Sequence, residues 1–112
     1  MQHQMKLSSE AFHKIARSKK VIESCLYDEK RRQIKIGDEI EFSANNHPRR
    51  KIKTRVKELL WYATFEELFS SHEPALFGGE SKEALLSEVR EFYSEEEEKR
   101  WGVVGILIYS FE

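Results

Sequence analysis

A lysine, a glutamate and a thiol stand close together in residues 18–28, SKKVIESCLYD. Lys20, Glu23 and Cys25 are residue types that hold or move protons, and a lysine beside a carboxylate also offers a polar ligand both donors and acceptors. The three can converge on one pocket if the apolar residues around them form a strand. In a strand alternate side chains share a face. Val21, Glu23, Cys25 and Tyr27 then point one way, and Ile22, Ser24 and Leu26 the other. Both faces carry apolar groups, so the strand is expected to be covered on both sides. A glutamate on such a strand needs a partner or a wet cavity. Lys20, at the turn into the strand, is the nearest partner.

The elements that must position this segment follow from periodicity and caps. Residues 5–7 read as a short first strand. Ser8 or Ser9 is an N-cap, and Phe12, Ile15 and Ala16 have helical spacing up to about Arg17. Residues 21–27 form the strand above, and residues 28–33 an exposed turn or single helical turn. Gly37 and Asp38 open a strand over 39–43 with Ile40 and Phe42 on one face. After an Asn-Asn-His-Pro loop, residues 51–62 alternate again. Thr64 with Glu67 predicts a capping box and a helix through Phe69. Ser81 starts a helix whose Leu85, Leu86, Val89, Phe92 and Tyr93 form an apolar stripe. Residues 94–100 continue as a short acidic helix, and 102–111 form an apolar, centrally placed strand. This order predicts an α+β fold with a curved or barrel-like mixed sheet and flanking helices.

The 112 residues suit one domain over the whole chain, 1–112. Hydrophobic content of 39% with 35% charge fits a soluble globular protein. No apolar run approaches the roughly 20 residues that span a bilayer, so no membrane association is expected. The opening MQHQMK lacks the apolar core of a secretory signal. One cysteine makes no internal disulfide, which fits a cytoplasmic setting. The net charge is −1 and the pI about 6.4. Domains that hold nucleic acid mainly by charge usually have a pI above about 9. That argues against a non-specific RNA or DNA coat protein, and no DNA partner is expected. His3, His13, His47 and His72 show no metal-ligand spacing with one another or with Cys25, so no metal and no cofactor is predicted.

One strand is conspicuously basic. Lys51, Lys53, Arg55 and Lys57 alternate on one face, and Glu39 and Glu41 lie on the polar face of the preceding strand. In a hairpin these charges pair across strands, each pair contributing roughly 0.2–1 kcal/mol. Arg49 and Arg50 stand nearer the loop without an obvious acid and are the better RNA-contacting candidates. Cys25 is read as a buried, inert thiol for want of a cysteine–histidine arrangement. Trp61, Tyr62 and Trp101 are read as core or rim packing, with base stacking as the alternative. The EEEEKR run is read as a solvated helix face. Gly78-Gly79, followed by Glu80, is either a loop that closes over a ligand or the turn that starts the next helix.

With these elements in order, the chain resembles the ASCH domain family, a branch of the PUA-like barrels. The family motif is G-x-K-x-x-E-x-R at the junction of the first helix and the next strand. Ser18 stands at the glycine position, Lys20 at the lysine, Glu23 at the glutamate and Cys25 at the arginine. The following LYDEKR, the KIGDEIEF strand and the WGVVG start of the last strand also look like small bacterial members, so the likeness extends over residues 5–111. It implies a small PUA-like barrel with helices at its rim and a cleft around the motif. It also implies RNA or a nucleoside as ligand, for which the ligand-binding set is Lys20, Glu23, Cys25 and Tyr27, joined by Arg49 and Arg50 from the charge pattern above. A branch of the family hydrolyses the acetyl amide of N4-acetylcytidine with the motif lysine. In that branch a threonine stands where this chain has Glu23, and a further glutamate precedes the last helix. By that likeness the catalytic set would be Lys20, Glu23 and Glu80; a non-catalytic protein-interaction module without a small ligand is the further alternative. Cys25 removes a forked donor from the motif, and a carboxylate beside Lys20 would hold the lysine charged, which opposes a role as base.

Overall fold

The computed structural model describes residues 1–110, and Phe111, the predicted end of the last strand, lies outside them. The chain runs β1 (Gln2–Leu7), α1 (Ser9–Ala16), β2 (Ile22–Leu26), a 3-10 turn (Arg31–Gln33), β3 (Glu39–Ala44) and β4 (His47–Tyr62). It continues with α2 (Phe65–Ser70), a second 3-10 turn (Pro74–Phe77), α3 (Lys82–Val89), α4 (Glu95–Trp101) and β5 (Val103–Ser110). The five strands form one mixed sheet in the order β1-β3-β4-β5-β2. β1 and β3 are parallel and the other neighbours antiparallel. The sheet curls into a half-barrel with α1 joining its two edge strands, so the α+β expectation holds.

Helix starts follow local chemistry. Ser8, Thr64, Ser81 and Ser94 each accept a backbone N–H three residues on, and each such cap is worth about 1 kcal/mol. The predicted Thr64 box is half realised. The Glu67 carboxylate takes the Thr64 hydroxyl at 3.3 Å. The reciprocal box forms instead at Ser94, whose N–H donates to Glu97 at 3.0 Å.

Two apolar clusters flank the sheet. Inside the curl, Phe12 and Ile15 of α1 meet Met5, Ile40, Phe42, Val56, Cys25 and Ile106. On the other side, Ile22, Leu26 and Val103 pack against Phe65, Leu68, Phe77, Leu85 and Val89. β2 and β5 are therefore covered on both faces, as expected. β5 pairs with a strand on each side, although β4 holds the middle place.

Several elements depart from the sequence pattern. β1 begins at Gln2 and β4 at His47, because parallel pairing with β3 and the Asn45–Asn46 turn extend both strands. β4 carries a bulge between Val56 and Glu58. The extra residue reverses the inward parity, so Val56 and Leu59 both face the inner cluster. α3 stops at Val89, and Phe92, placed by sequence on its apolar stripe, is 64% exposed. In the EEEEKR run Glu98 is buried, so that helix is not wholly solvated.

The basic face of β4 is charge-paired across the hairpin. Glu39 lies opposite Arg55 and Glu41 opposite Lys53, and Lys51 Nζ reaches Glu41 Oε1 at 3.4 Å. At the opposite corner, Asp38 ties β1 to the β3 entry. His3 Nε2 lies 2.8 Å from Asp38 Oδ2, and the Lys35 N–H donates to the same oxygen at 3.0 Å. Burial alone would raise the Asp38 pKa, but these bonds and the Met1 ammonium outweigh it and hold the carboxyl below its usual value. A depressed carboxylate contributes stability above its unfolded pKa, and that contribution disappears as pH falls through the folded value. Urea unfolding as a function of pH should therefore show Asp38→Asn less stable than wild type above about pH 4, with the gap closing under more acidic conditions. A gap that persists unchanged at low pH would assign the effect to packing.

Candidate functional site

Lys20 reaches its place through the end of α1. The Lys19 and Lys20 N–H groups both donate to the Lys14 carbonyl, at 2.8 and 3.2 Å. Ser18 takes a φ of 58° to make this turn. That is the left-handed region where a side chain is costly and glycine is at ease. Val21 then donates to the Leu76 carbonyl at 2.8 Å, which fixes the start of β2 against the second 3-10 turn.

The Lys20 side chain is buried at 8% exposure. Its Nζ lies 3.1 Å from Glu23 Oε1 and donates to the Phe77 carbonyl at 3.3 Å. The pair therefore forms as the sequence suggested, with a backbone carbonyl as third member. Beside it, Lys14 Nζ donates to the Gly78 carbonyl at 2.7 Å. Two lysines thus clamp the turn that precedes α3. Gly78 has a φ of 79°, and an added Cβ there would approach Lys14 Cδ and Lys20 Cβ at 3.1 Å. A Cβ on Gly79 would come within 2.5 Å of Leu85. The Gly78-Gly79 turn is thus packed in place rather than free to close as a lid.

Lys20 and Glu23 line an open cleft of about 540 Å³ at the gap between the two edge strands, β1 and β2. That volume lies in the range of about 300–1,000 Å³ typical of small-molecule sites. The end of β1 and the start of α1 form one wall, and α3 with residues 91–93 the other. Its rim charges nearly cancel. Lys6, Lys14 and Lys20 face Glu10, Glu23, Glu88 and Glu91.

Two residues around the motif, one of them in the cleft lining, escaped the sequence pattern. Tyr93 lines the cleft, and burial pushes its hydroxyl pKa up, with Cys25 and Glu23 adding to the rise against the opposing Arg31. It stays a protonated donor. Arg31, from the turn after β2, lies beside the Cys25 thiol and is held by Asp28 through a 3.1 Å NH1 bond. A guanidinium thus approaches Cys25 from outside the motif. The arginine-rich DEKRR stretch was the one visible signal for Arg31, and none marked Tyr93.

The remaining predicted residues lie elsewhere. Cys25 is completely buried in the inner cluster. Burial, reinforced by the Glu23 carboxylate, pushes its thiol up to about 12 despite Arg31. It is an inert packing group, as read from sequence. Tyr27 sits at the far end of β2, edge-on to Trp61 at 6.3 Å and beneath the Arg32 guanidinium at 4.4 Å. It does not line the cleft. Trp101 and Tyr62 are half-buried against the outer cluster, while Trp61 is 55% exposed. Arg49 and Arg50 are exposed on β4, and Arg50 lies over the Phe12 ring at 5.4 Å. Glu80 is exposed beyond the Gly78-Gly79 turn and is not part of the cleft lining. Among the described residues no cluster of three or more His, Cys, Asp or Glu is placed to hold a metal, and no helix is long and apolar enough to cross a membrane.

Comparison with known proteins identifies the fold and the family. The family model for the ASCH domain matches residues 5–111. A crystal structure of hypothetical protein PH0355 is 39% identical with a TM-score of 0.88, covering 99% of this chain and 100% of that one. The solution structure of protein PF0455 from Pyrococcus furiosus is 40% identical with a TM-score of 0.79, covering 100% of this chain and 99% of the other. An ASCH domain from Lactobacillus crispatus shares the fold at 15% identity and a TM-score of 0.65, over 97% of this chain and 79% of that one. No curated protein matches the chain. The curled five-stranded sheet is thus a PUA-like half-barrel, and the chain belongs to the ASCH domain family.

Proposed function

We propose that the cleft between β1 and β2 binds a nucleoside, free or as a single unstacked base of RNA, through Lys20, Glu23 and Tyr93. The observation that carries this reading is the buried Lys20–Glu23 pair on the wall of an open cleft, 3.1 Å apart and braced by the Phe77 carbonyl. Lys20 spends two of its three donors there, which leaves one for a base carbonyl. Glu23 keeps an oxygen for an exocyclic amine, and Tyr93 adds a neutral donor. The near-balanced rim favours an uncharged nucleoside over a phosphate backbone, since phosphate-driven binding needs an excess of Lys and Arg. Any RNA phosphates would lie outside, near Arg49 and Arg50.

The same pair favours binding over hydrolysis. Lys20 Nζ is already engaged by the Glu23 carboxylate at 3.1 Å and by the Phe77 carbonyl at 3.3 Å, whereas a lysine acting as base or nucleophile must present a free lone pair to the substrate. Glu80 stands outside the cleft lining.

Calorimetric titration with cytidine, uridine, N4-acetylcytidine and a short single-stranded RNA tests the reading. At least one nucleoside is expected to bind more tightly than about 1 mM. Tyr93→Phe, which keeps the ring and removes the hydroxyl, is expected to weaken that binding by about tenfold. Millimolar or weaker binding across the panel rejects the proposal. Release of cytidine from N4-acetylcytidine in the same samples, lost in Lys20→Met, would replace it with the amidohydrolase reading.

A further inference from the structure

β2 is an edge strand, and its unpaired edge faces the cleft. The antiparallel ladder with β5 runs Ile22 opposite Leu107, Glu23 opposite Ile106, Ser24 opposite Gly105 and Cys25 opposite Val104. At one end of this ladder the Ile108 N–H donates to the Val21 carbonyl at 2.9 Å. At the other, the Tyr27 N–H donates to the Gly102 carbonyl at 2.9 Å. Both bonds fall on odd-numbered residues of the same register. In an antiparallel pair, the residues that exchange bonds with the partner alternate with residues whose N–H and C=O point away from it. Glu23 and Cys25 therefore bond to β5, while Ile22, Ser24 and Leu26 turn their backbone groups to the open side. Of these three only Ser24 lines the cleft. Among the described residues, no hydrogen bond takes up its N–H or its carbonyl.

We infer that the Ser24 backbone N–H and carbonyl form a recognition edge for one planar ligand edge carrying a donor beside an acceptor, as in a cyclic amide or a pyrimidine base. In extended backbone the two groups of one residue point the same way, side by side. A uracil ring offers the match, with N3–H donating to the Ser24 carbonyl and a ring carbonyl accepting from the Ser24 N–H. A cytosine ring does so with its amino N–H and N3. Glu23 and Tyr93 flank this edge and line the same cleft. An added peptide strand fits less well, because among the outward-facing residues Ile22, Ser24 and Leu26 only Ser24 lines the cleft, which leaves no second rung for a ladder. This inference rests on the nucleoside reading of the cleft and specifies which edge of the base is read.

The test compares uridine with 3-methyluridine, which lacks the N3–H, on the wild-type protein. It adds Ser24→Pro and Ser24→Ala. Proline removes only an N–H that the sheet does not use, a substitution edge strands tolerate. Ser24→Ala keeps both backbone groups. Uridine is expected to bind at least tenfold more tightly than 3-methyluridine, and at least tenfold more weakly to Ser24→Pro, with Ser24→Ala unchanged. Equal affinity for uridine and 3-methyluridine, or undiminished binding by Ser24→Pro, overturns the edge while leaving the nucleoside site standing. Absence of binding by every nucleoside overturns both. If Ser24→Pro does not fold, the wild-type comparison of the two nucleosides decides.

Discussion

Replacing Glu98 with alanine is expected to lower the free energy of unfolding by about 3 kcal/mol. Glu98 is 6% exposed although it belongs to a run of four glutamates. Its Oε2 accepts the Phe65 N–H at 2.7 Å, and its Oε1 accepts from Arg90 NH2 at 2.9 Å. Phe65 is the first residue of α2, so its N–H has no partner within the helix and depends on this carboxylate. The negative charge at the helix start adds a favourable dipole interaction. Arg90 is one-third exposed and can turn to water, so the larger share of the loss comes from the buried amide. Glu98→Gln keeps one acceptor and should cost less, roughly 1 kcal/mol. Urea denaturation of the three proteins checks the ranking, and a loss under about 1 kcal/mol for the alanine variant would mean that water replaces the carboxylate. The effect should reach the cleft. Phe65 stacks on Tyr93 at 5.6 Å, and Tyr93 lines the cleft wall.

Glu23→Ala is expected to destabilise the protein by a comparable amount, about 3 kcal/mol, because it strands the buried Lys20 ammonium with the Phe77 carbonyl as its one remaining partner. Truncating one member of a buried pair costs more than replacing both with apolar groups of similar size. The double variant Lys20→Met with Glu23→Leu should therefore regain much of the stability that Glu23→Ala loses. A double-mutant cycle reads this directly. Coupling of more than about 1 kcal/mol marks a working pair, and additive effects would show that each side chain is solvated separately. The double variant also separates folding from binding, since it should fold and yet no longer hold a nucleoside.

The ion pair was legible because it is local. Lys20 and Glu23 are three residues apart, and the apolar alternation beyond Lys20 announced the strand that carries them. The caps at Ser8, Thr64 and Ser81 were readable for the same reason, since each involves backbone three positions away. The cross-strand charges of β3 and β4 were also visible, because acids and bases alternate along two strands joined by one short loop, although a register shift between Ser43 and Ala44 separates the turn from the charged pairs. Cys25 was rightly read as buried, since its neighbours on β2 are apolar on both faces.

What escaped the sequence depends on residues far apart along the chain. Tyr93 was assigned to an apolar helix stripe, yet α3 ends at Val89 and Tyr93 turns into the cleft. Glu98 looked like one of four equivalent acids until α4 docked on the start of α2. Arg31 approaches Cys25 because the chain reverses after β2. Tyr27 follows the motif in sequence and Glu80 follows the glycine pair, but Tyr27 lies at the far end of β2 and Glu80 beyond the packed glycine turn, both outside the cleft lining.

By itself the sequence determined the helices, the strand alternation, the family resemblance and the Lys20–Glu23 pair. The helices, the alternation and the pair rest on interactions within a turn or two of backbone, and the resemblance on the order of short motifs along residues 5–111. Only the tertiary structure decided that β2 is an edge, that its gap to β1 is open, and that Tyr93 and the Ser24 backbone face that gap. The physical reason is that strand order and helix docking are settled by burial of apolar surface between distant segments, so the same local strand could have been paired on both sides or on one.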